Sequence, residues 1–561
     1  MTLETFIPPR SKKVLELTGE VEKDFETTKE KFLQIQPACK YVVEKNLSDA
    51  TEKFDAIIFQ SPLIGNLDEK NLTELIKKSA EKLNQHGTLI FKLDNISYAE
   101  NIDAILKGQP LKFKITLSRV ELENSIKNSG ANTFRTVNAS RKVAVKRGLI
   151  EIAETDVAVF AHILSATFDD MPPKTLIQTI IGENFACGPT RIHIPNSFFV
   201  TTPNISTISV DSNKSYQLYN AQQFDKRIFI NQRVSTNNFA QGLKALRTIV
   251  DKGYLYLSEI DDNPIRWKES YEKSDWINFV GVHAIQTSTK YLAEFLSQYN
   301  PHVKIFPNHL RRILPKRNFD EEFKNENRPT TIFFGALNRD KDFSELLPTL
   351  NEFAKKYGNK LAFRILGRTN LFEQLESENK ILVGDKNYYD SQFVPYEKYE
   401  ENLRASDIAL LPLQDNQFNR SKSDLKFIEC SANGAVALAS PVVYSEVVKD
   451  GENGFIFKDL KEFADRLKIL IENKNKRREM ADNAYEYVLH NRLLSQHYEE
   501  RLDWYNELFA KLPELTKELN ERVEKLIPKF KDEIAREELR AAEFKPVAGN
   551  SPANAEIIIP V

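Results

Sequence analysis

Short apolar runs of β-type residues alternate with stretches of helical spacing along most of the chain, and the pattern starts three times. Parallel strands joined by crossover helices require such alternation, so each start marks an α/β unit with its own sheet. In the first unit the runs are Val14–Leu17, Tyr41–Val43, Asp55–Gln60 and Thr88–Lys92. The segment Asp68–Leu83 carries apolar residues at helical spacing, and Gly87 is its expected stop. The second start, near Glu151, passes through "DVAVFAHIL", the turn and extended run "CGPTRIHIPNSFF", "KRIFINQR", the helical "NNFAQGLKALRTIVDK", "GYLYLSEI", "VHAIQTST" and "HVKIFPN". A polar linker, Arg317–Pro329, precedes the third start at "TTIFFG". The expected divisions are 1–150, 151–316 and 330–509, then a helical extension at 510–548 and a terminal segment at 549–561. Two consecutive α/β units with a polar joint imply a cleft between lobes, a usual place for a ligand.

A chain of 561 residues with 41% hydrophobic content can bury several cores. Lys and Arg total 78 against 80 Asp and Glu, and the net charge of −2 provides no general attraction for nucleic acid or anionic lipid. Any anion site must be local, and no nucleic-acid partner is expected. The three cysteines, Cys39, Cys187 and Cys430, neither staple a secreted scaffold nor pair as CxxC, which points to a reducing cytoplasm. No stretch approaches the roughly 18–20 apolar residues that cross a bilayer.

The first unit resembles the class I methyltransferase fold, with "FDAIIF" and "LNQHGTLIFKL" where that family has its fourth and fifth strands. The family's loop after the first strand is E/D-x-G-x-G-x-G, because only glycine lets the backbone approach the cofactor closely. Here the run is Glu16-Leu17-Thr18-Gly19-Glu20-Val21-Glu22, with side chains where three glycines belong. The expectation is a degenerate Rossmann-like docking module; a bifunctional S-adenosylmethionine-dependent methyltransferase and glycosyltransferase is the alternative.

In the third unit "TIFFG", "LAFRILG", "FVPYEKYEENLRASDIALLPL" and "SKSDLKFIECSANGAVALASPVVYSEVVKDGENGFIF" follow in order. This order resembles glycosyltransferase family 4 of the two-lobed B-type fold, over Thr330 to about Phe509, and the middle unit then resembles that fold's N-terminal, acceptor lobe. The expected fold class is α/β, three Rossmann-like units with a helical C-terminal extension. The resemblance implies a retaining, metal-independent glycosyltransferase with a nucleotide sugar as donor and no further cofactor. It also implies a glycan or a lipid- or protein-linked acceptor, in surface polysaccharide or glycoprotein assembly. The non-catalytic alternative is a glycan-binding scaffold.

A sugar nucleotide needs cations or helix N-termini for its diphosphate and a carboxylate for its ribose hydroxyls. Glu429 matches the second glutamate of the family's E-x7-E motif, which the resemblance implies binds ribose; the first glutamate is replaced by Ser421, read as a variant donor-sugar contact. Lys422 and Lys426 stand one turn apart and can both face phosphate, with Ser423 as the expected N-cap. After Gly335, Lys341 matches the family's diphosphate lysine, while Arg339 is displaced from the usual place after the glycine. Lys341 and Glu429 are the expected catalytic residues. Gly434 serves a turn near the donor, and Glu446 in "SEVV" is a further donor-side candidate.

On the acceptor side, Glu259, Asp261 and Asp262 end the strand "YLYLSEI" as an acidic cluster able to hydrogen-bond hydroxyls, and a capping turn before Pro264 is the plainer reading. Arg191 and Arg233 are further cleft candidates, whereas His283 is expected to pack inside a strand. No metal site is expected. Lys511–Lys545 holds nine basic and nine acidic residues with apolar positions 512, 515, 519, 523, 526, 530 and 534, a near-heptad stripe for docking on the body, a membrane face or a partner, split at Pro528. The ending "AEIIIPV" resembles the first strand of family 2 glycosyltransferases, as if a further module followed.

Overall fold

The computed structural model describes residues 2–19, 26–95, 117–140, 159–183, 187–212, 216–218, 221–322, 324–325, 327–335, 339–367, 369–384, 394–543 and 558–559. Glu20 and Glu22 lie outside the described residues. The three expected α/β units are present, each built on a six-stranded sheet.

The first sheet contains β1 (Lys13–Leu17), β2 (Lys40–Glu44), β3 (Phe54–Phe59), β4 (Leu83–Asp94), β5 (Asn132–Ser140) and β6 (Val159–Thr167), in the spatial order β2-β1-β3-β4-β6-β5. The helix Glu69–Ala80 begins where expected, with the Asp68 side chain accepting from the Asn71 backbone N–H. Gly87 does not end it, since β4 already starts at Leu83 and Gly87 lies within the strand. The run "VFAHILSAT", expected to open the middle unit, is β6 and pairs antiparallel with both β4 and β5. The first sheet therefore extends past residue 150. Ile163 and Leu164 are buried on it, and an apolar run alone carries no information about which neighbouring sheet will bury it.

The middle sheet is parallel throughout: β7 (Thr175–Ile181), β8 (Ile205–Asp211), β10 (Lys226–Gln232), β11 (Leu255–Ile260), β12 (Ala284–Thr287) and β13 (Val303–Ile305), in the order β13-β12-β11-β10-β7-β8. The short β9 (Tyr216–Gln217) pairs with β20 (Ile558–Ile559). The segment "PTRIHIPNSFF" is helical over Pro189–Phe199, not extended. Both prolines stand in first turns, where their missing N–H costs nothing, and Ile192, Phe198 and Phe199 are buried.

The third sheet holds β14 (Thr330–Phe334), β15 (Leu361–Leu366), β16 (Lys380–Val383), β17 (Ile408–Leu411), β18 (Val436–Ala439) and β19 (Phe455–Ile456), in the order β16-β15-β14-β17-β18-β19, again parallel. The presumed linker is pinned: Arg317 is buried and ion-paired with Glu322 and Asp407. The chain then returns to the middle unit. Helix Tyr498–Ala510, expected with the donor lobe, packs Tyr505 on the middle sheet, where its hydroxyl donates to Gln286 Oε1 at 2.8 Å.

Helices Leu512–Glu524 and Lys531–Glu543 continue along the same unit, split by a short 3-10 turn that contains Pro528. All seven positions of the apolar stripe pack on the chain's own body, and Phe530 stacks on Phe239 at 4.2 Å. No helix among the described residues is long and apolar enough to cross a membrane.

Candidate functional site

In the second and third sheets the strand order reverses between β7 and β10 and between β14 and β17, and ligands of open parallel sheets bind outside the carboxyl ends at such points. The two carboxyl edges face each other. At the third sheet's reversal Gly335 follows β14, and a Cβ there would lie 2.2 Å from the Phe333 ring. Beyond it Arg339 is fixed by Asn419 Oδ1 at 2.9 Å and Asp342 Oδ2 at 3.2 Å. Lys341 is exposed on the short helix Asp340–Ser344, and its ammonium has no hydrogen-bond or ion-pair partner among the described residues.

Helix Leu425–Ala432 carries Glu429 inward, because its neighbours Phe427, Ile428 and Cys430 fill the core between sheet and helices. The Glu429 side chain is 7% exposed. Its Oε2 accepts from the Tyr399 hydroxyl at 3.0 Å and from Lys426 Nζ at 2.9 Å, while Oε1 has no partner among the described residues. Burial, reinforced by the Glu429 charge, pushes the Tyr399 hydroxyl well above its ordinary value and keeps it a donor. Lys426 also lies 4.4 Å above the Tyr399 ring.

Ser423 is not the N-cap. Asp424 takes that position and holds a bidentate pair with Arg492, while Ser423 Oγ accepts from Asn308 Nδ2 at 2.9 Å. Gly434 adopts φ +74°, the conformation that a glycine turn provides.

Across the cleft Arg233 adopts φ +53° after β10, with Gly182 so close that a Cβ would stand 2.7 Å from the Arg233 carbonyl oxygen. The Arg233 guanidinium binds Asp261 at 2.6 Å and also Glu183. Further contacts join the lobes beside the Asn308–Ser423 bond. Lys422 Nζ meets Asp262 at 2.7 Å, Asn263 Nδ2 donates to Ser421 Oγ at 2.8 Å and also to the Gln417 carbonyl at 3.2 Å, Thr289 Oγ1 donates to the Ser421 carbonyl at 3.4 Å, and Lys290 approaches Glu446 at 3.9 Å. Burial holds Lys422 below the ordinary lysine value against the pull of Asp262, and Arg339 and Arg233 lower it further.

Several expectations change with this geometry. Ser421 is fully buried, and its hydroxyl is engaged by Asn263 and the Gln417 carbonyl, so its hydrogen bonds hold the lobes together. Lys422 and Lys426 do not act as a matched pair, since one reaches the opposite lobe and the other Glu429. Arg191 and Glu259 do not line the cleft. They form a buried pair at 2.7 Å, with side chains 1% and 0% exposed. The plainer reading of the acidic turn holds in part: Asn263, next to Asp262, caps the turn that begins at Pro264.

His283 is buried as expected but stands just before β12 and not inside it, accepting from the Tyr256 backbone N–H at 2.8 Å. Among the described residues no group of three His, Cys, Asp or Glu side chains is placed to hold a metal, and the three cysteines are buried and free. Tyr399, Asn419, Asn263 and Asp342 were missed by sequence reasoning: Tyr399 and Asn419 act on residues at least thirty positions away, and Asn263 and Asp342, besides their local bonds to Ile265 and Arg339, reach Ser421 and Gln414, which no local pattern marks.

Residues 316–487, the body of the third unit, match the family model described as glycosyl transferases group 1. That match covers less than half of the chain. No curated protein matches the sequence. Among solved structures, Anabaena HepE in complex with UDP and glucose shares 13% identity over 59% of this chain and 100% of its own, with a TM-score of 0.42. An alpha,alpha-trehalose-phosphate synthase (UDP-forming) from Burkholderia vietnamiensis shares 10% over 59% and 100%, with a TM-score of 0.42. An S. aureus TarM mutant in complex with fondaparinux, alpha-GlcNAc-glycerol and UDP shares 13%, covering 50% of this chain and 55% of TarM, with a TM-score of 0.36. The chain thus spans about half the length of TarM.

Proposed function

We propose that this protein is a glycosyltransferase that moves a sugar from a nucleotide-sugar donor, bound by the third unit, to a glycan or glycoconjugate acceptor presented across the cleft. The observation that carries the reading is Glu429, a buried carboxylate inside the segment that matches the group 1 family, with Oε2 fixed by Tyr399 and Lys426 and Oε1 without a partner among the described residues. A carboxylate fixed in this way is suited to the ribose hydroxyls, and Lys341, unpaired among the described residues, supplies a cation for the diphosphate. Cations held in a dry cleft stabilise the negative charge that develops on the departing diphosphate, by on the order of 3 kcal/mol per group. The lobe contacts through Asp262 and Asn263 set the width of the cleft. Retention at the anomeric carbon, independence of metal and a place in surface polysaccharide or glycoprotein assembly belong to the same proposal.

We read the first unit as a docking module. The Thr18 and Gly19 backbone N–H groups already donate to the carbonyls of Glu44 and Lys45, Glu16 accepts from Tyr41 and Gln60, and a Cβ on Gly19 would meet the Leu63 backbone at 3.0 Å. These groups are spent within the unit and are not presented to a cofactor.

Donor hydrolysis and transfer are measured with a panel of nucleotide sugars, and the anomeric configuration of the product is read by NMR. Glu429→Ala and Lys341→Ala are expected to lower turnover at least tenfold with the fold intact; full activity in both would sink the site. Titration with S-adenosylmethionine is the companion control, and saturable micromolar binding would overturn the docking role.

A further inference from the structure

The first unit does not dangle from the two-lobed body. Helix Glu26–Ile35 ends against the hinge, the two segments through which the chain passes from one lobe to the other and back. These segments are held to each other: Leu310 N–H donates to the Arg492 carbonyl at 2.9 Å, and Leu494 N–H donates to the Leu310 carbonyl at 2.8 Å. The last carbonyls of a helix have no partner within it and must find donors elsewhere. Here the Gln34 carbonyl accepts from Ile313 N–H at 2.8 Å on one hinge segment, and the Ile35 carbonyl accepts from Ser495 Oγ at 2.8 Å on the other. One helix end thus grips both.

The contact continues into the donor lobe through one side chain. Arg312 Nη1 donates to Gln34 Oε1 of the first unit at 3.0 Å, and its Nη2 donates to Glu400 Oε2 at 2.5 Å. Glu400 stands on helix Tyr396–Arg404 beside Tyr399, whose hydroxyl fixes Glu429. Adjacent residues on a helix project about 100° apart, so one helix turns Glu400 to the hinge and Tyr399 to the site. The planar guanidinium spans its two acceptors with separate nitrogens, which a lysine cannot reproduce.

We propose that the first unit positions the nucleotide site: Gln34 holds Arg312, Arg312 holds Glu400, and the helix so fixed aims the Tyr399 hydroxyl at Glu429. Arg312 and Gln34 are positioning residues and touch no substrate. The inference rests on the reading of Glu429 as the ribose-binding carboxylate.

The test is isothermal titration of the full chain with UDP, GDP and ADP in turn, using Gln34→Ala, Arg312→Ala, Arg312→Lys, Glu429→Ala and the double variant Gln34→Ala with Glu429→Ala. For whichever diphosphate binds, Arg312→Ala is expected to weaken Kd about tenfold and Gln34→Ala about threefold, within the range of coupled neighbours. Arg312→Lys should recover part of the loss. In the Glu429→Ala background Gln34→Ala should have no further effect, which a role in stability alone does not produce.

If Gln34→Ala costs the same factor with and without Glu429, or if neither Gln34→Ala nor Arg312→Ala changes Kd while Glu429→Ala does, the positioning role is wrong and the nucleotide site stands. If no diphosphate binds the wild-type chain, or if Glu429→Ala leaves Kd unchanged, the reading of the site falls and this inference falls with it. Gln34→Ala trims a half-buried side chain and leaves the backbone contact to Ile313, so folding failure in Arg312→Ala does not remove the test.

Discussion

Replacing Arg191 by methionine separates a structural role for the Arg191–Glu259 pair from a role in acceptor binding. Arg191 Nε and Nη2 donate to the Glu259 carboxylate at 2.7 and 3.4 Å, Nη1 to the Phe306 carbonyl at 2.6 Å and to Asn308 Oδ1 at 2.9 Å, and Nη2 to the Thr287 carbonyl at 3.2 Å. Methionine fills much of the volume and removes the guanidinium from these acceptors, of which the Thr287 carbonyl keeps the Phe306 N–H at 2.8 Å. A carboxyl stranded in such a place escapes by taking a proton. From pH 7 onto an ordinary glutamate near 4.3, that costs up to about 4 kcal/mol at 1.36 kcal/mol per unit. The Phe306 carbonyl and Asn308 Oδ1 left behind add to this. The expected loss is ~3–5 kcal/mol, the range for a broken buried pair.

The sign with pH follows. The folded variant carries a proton that the unfolded chain has lost at pH 7, so the deficit relative to wild type grows as pH rises and shrinks toward pH 5. The assay is chemical denaturation at pH 5, 6, 7 and 8, followed by near-ultraviolet circular dichroism, with Arg191→Met and Glu259→Leu combined as the control that removes both charges. The combined variant should be more stable than Arg191→Met alone and should not show the added pH dependence. A single variant of wild-type stability that has lost only acceptor turnover would refute the reasoning and return Arg191 to the cleft.

Two further predictions concern the extension packed on the middle unit. Burial, with a smaller contribution from Arg522, pushes the His283 imidazole down to about 4, below its usual 6.5, and its Nε2 meets Thr516 Oγ1 at 3.1 Å. The unfolded chain then binds the extra proton between those values, so stability is full above pH 6.5 and falls by on the order of 3 kcal/mol on acidification toward pH 4. His283→Gln should flatten that slope in thermal melts, and an unchanged slope would exclude His283 as its source. Phe530→Ala removes the ring stacked on Phe239 at 4.2 Å and should lower stability by about 2 kcal/mol, less than a full core deletion because Phe530 is half-buried. Thermal melts without a decrease would show that the extension does not stabilise the middle unit.

The alternation of apolar runs and helical spacing carried the architecture, because a period of two and a period of 3.6 are local properties that survive without knowledge of neighbours. The helix that starts after Asp68 and the apolar stripe from Leu512 to Ile534 were legible for the same reason. The strand Val159–Thr167 was misplaced because an apolar strand fits any sheet with a free edge. "PTRIHIPNSFF" was misread because its prolines suit a first helical turn as well as an extended run.

By itself the sequence determined that three α/β units follow one another, that the third carries an ordered set of motifs, and that Glu429 stands on a helix with apolar flanks. Tertiary structure decided which charges are free. Arg191, Arg233, Ser421 and Lys422 are chemically suited to bind sugar or phosphate, yet each has its hydrogen bonds taken by a residue from another element, whereas among the described residues Lys341 and one oxygen of Glu429 do not. Strand and helix patterns arise from neighbours in sequence. The satisfaction of a buried polar group depends on whatever the fold brings within about 3 Å, and that partner can come from anywhere in the chain.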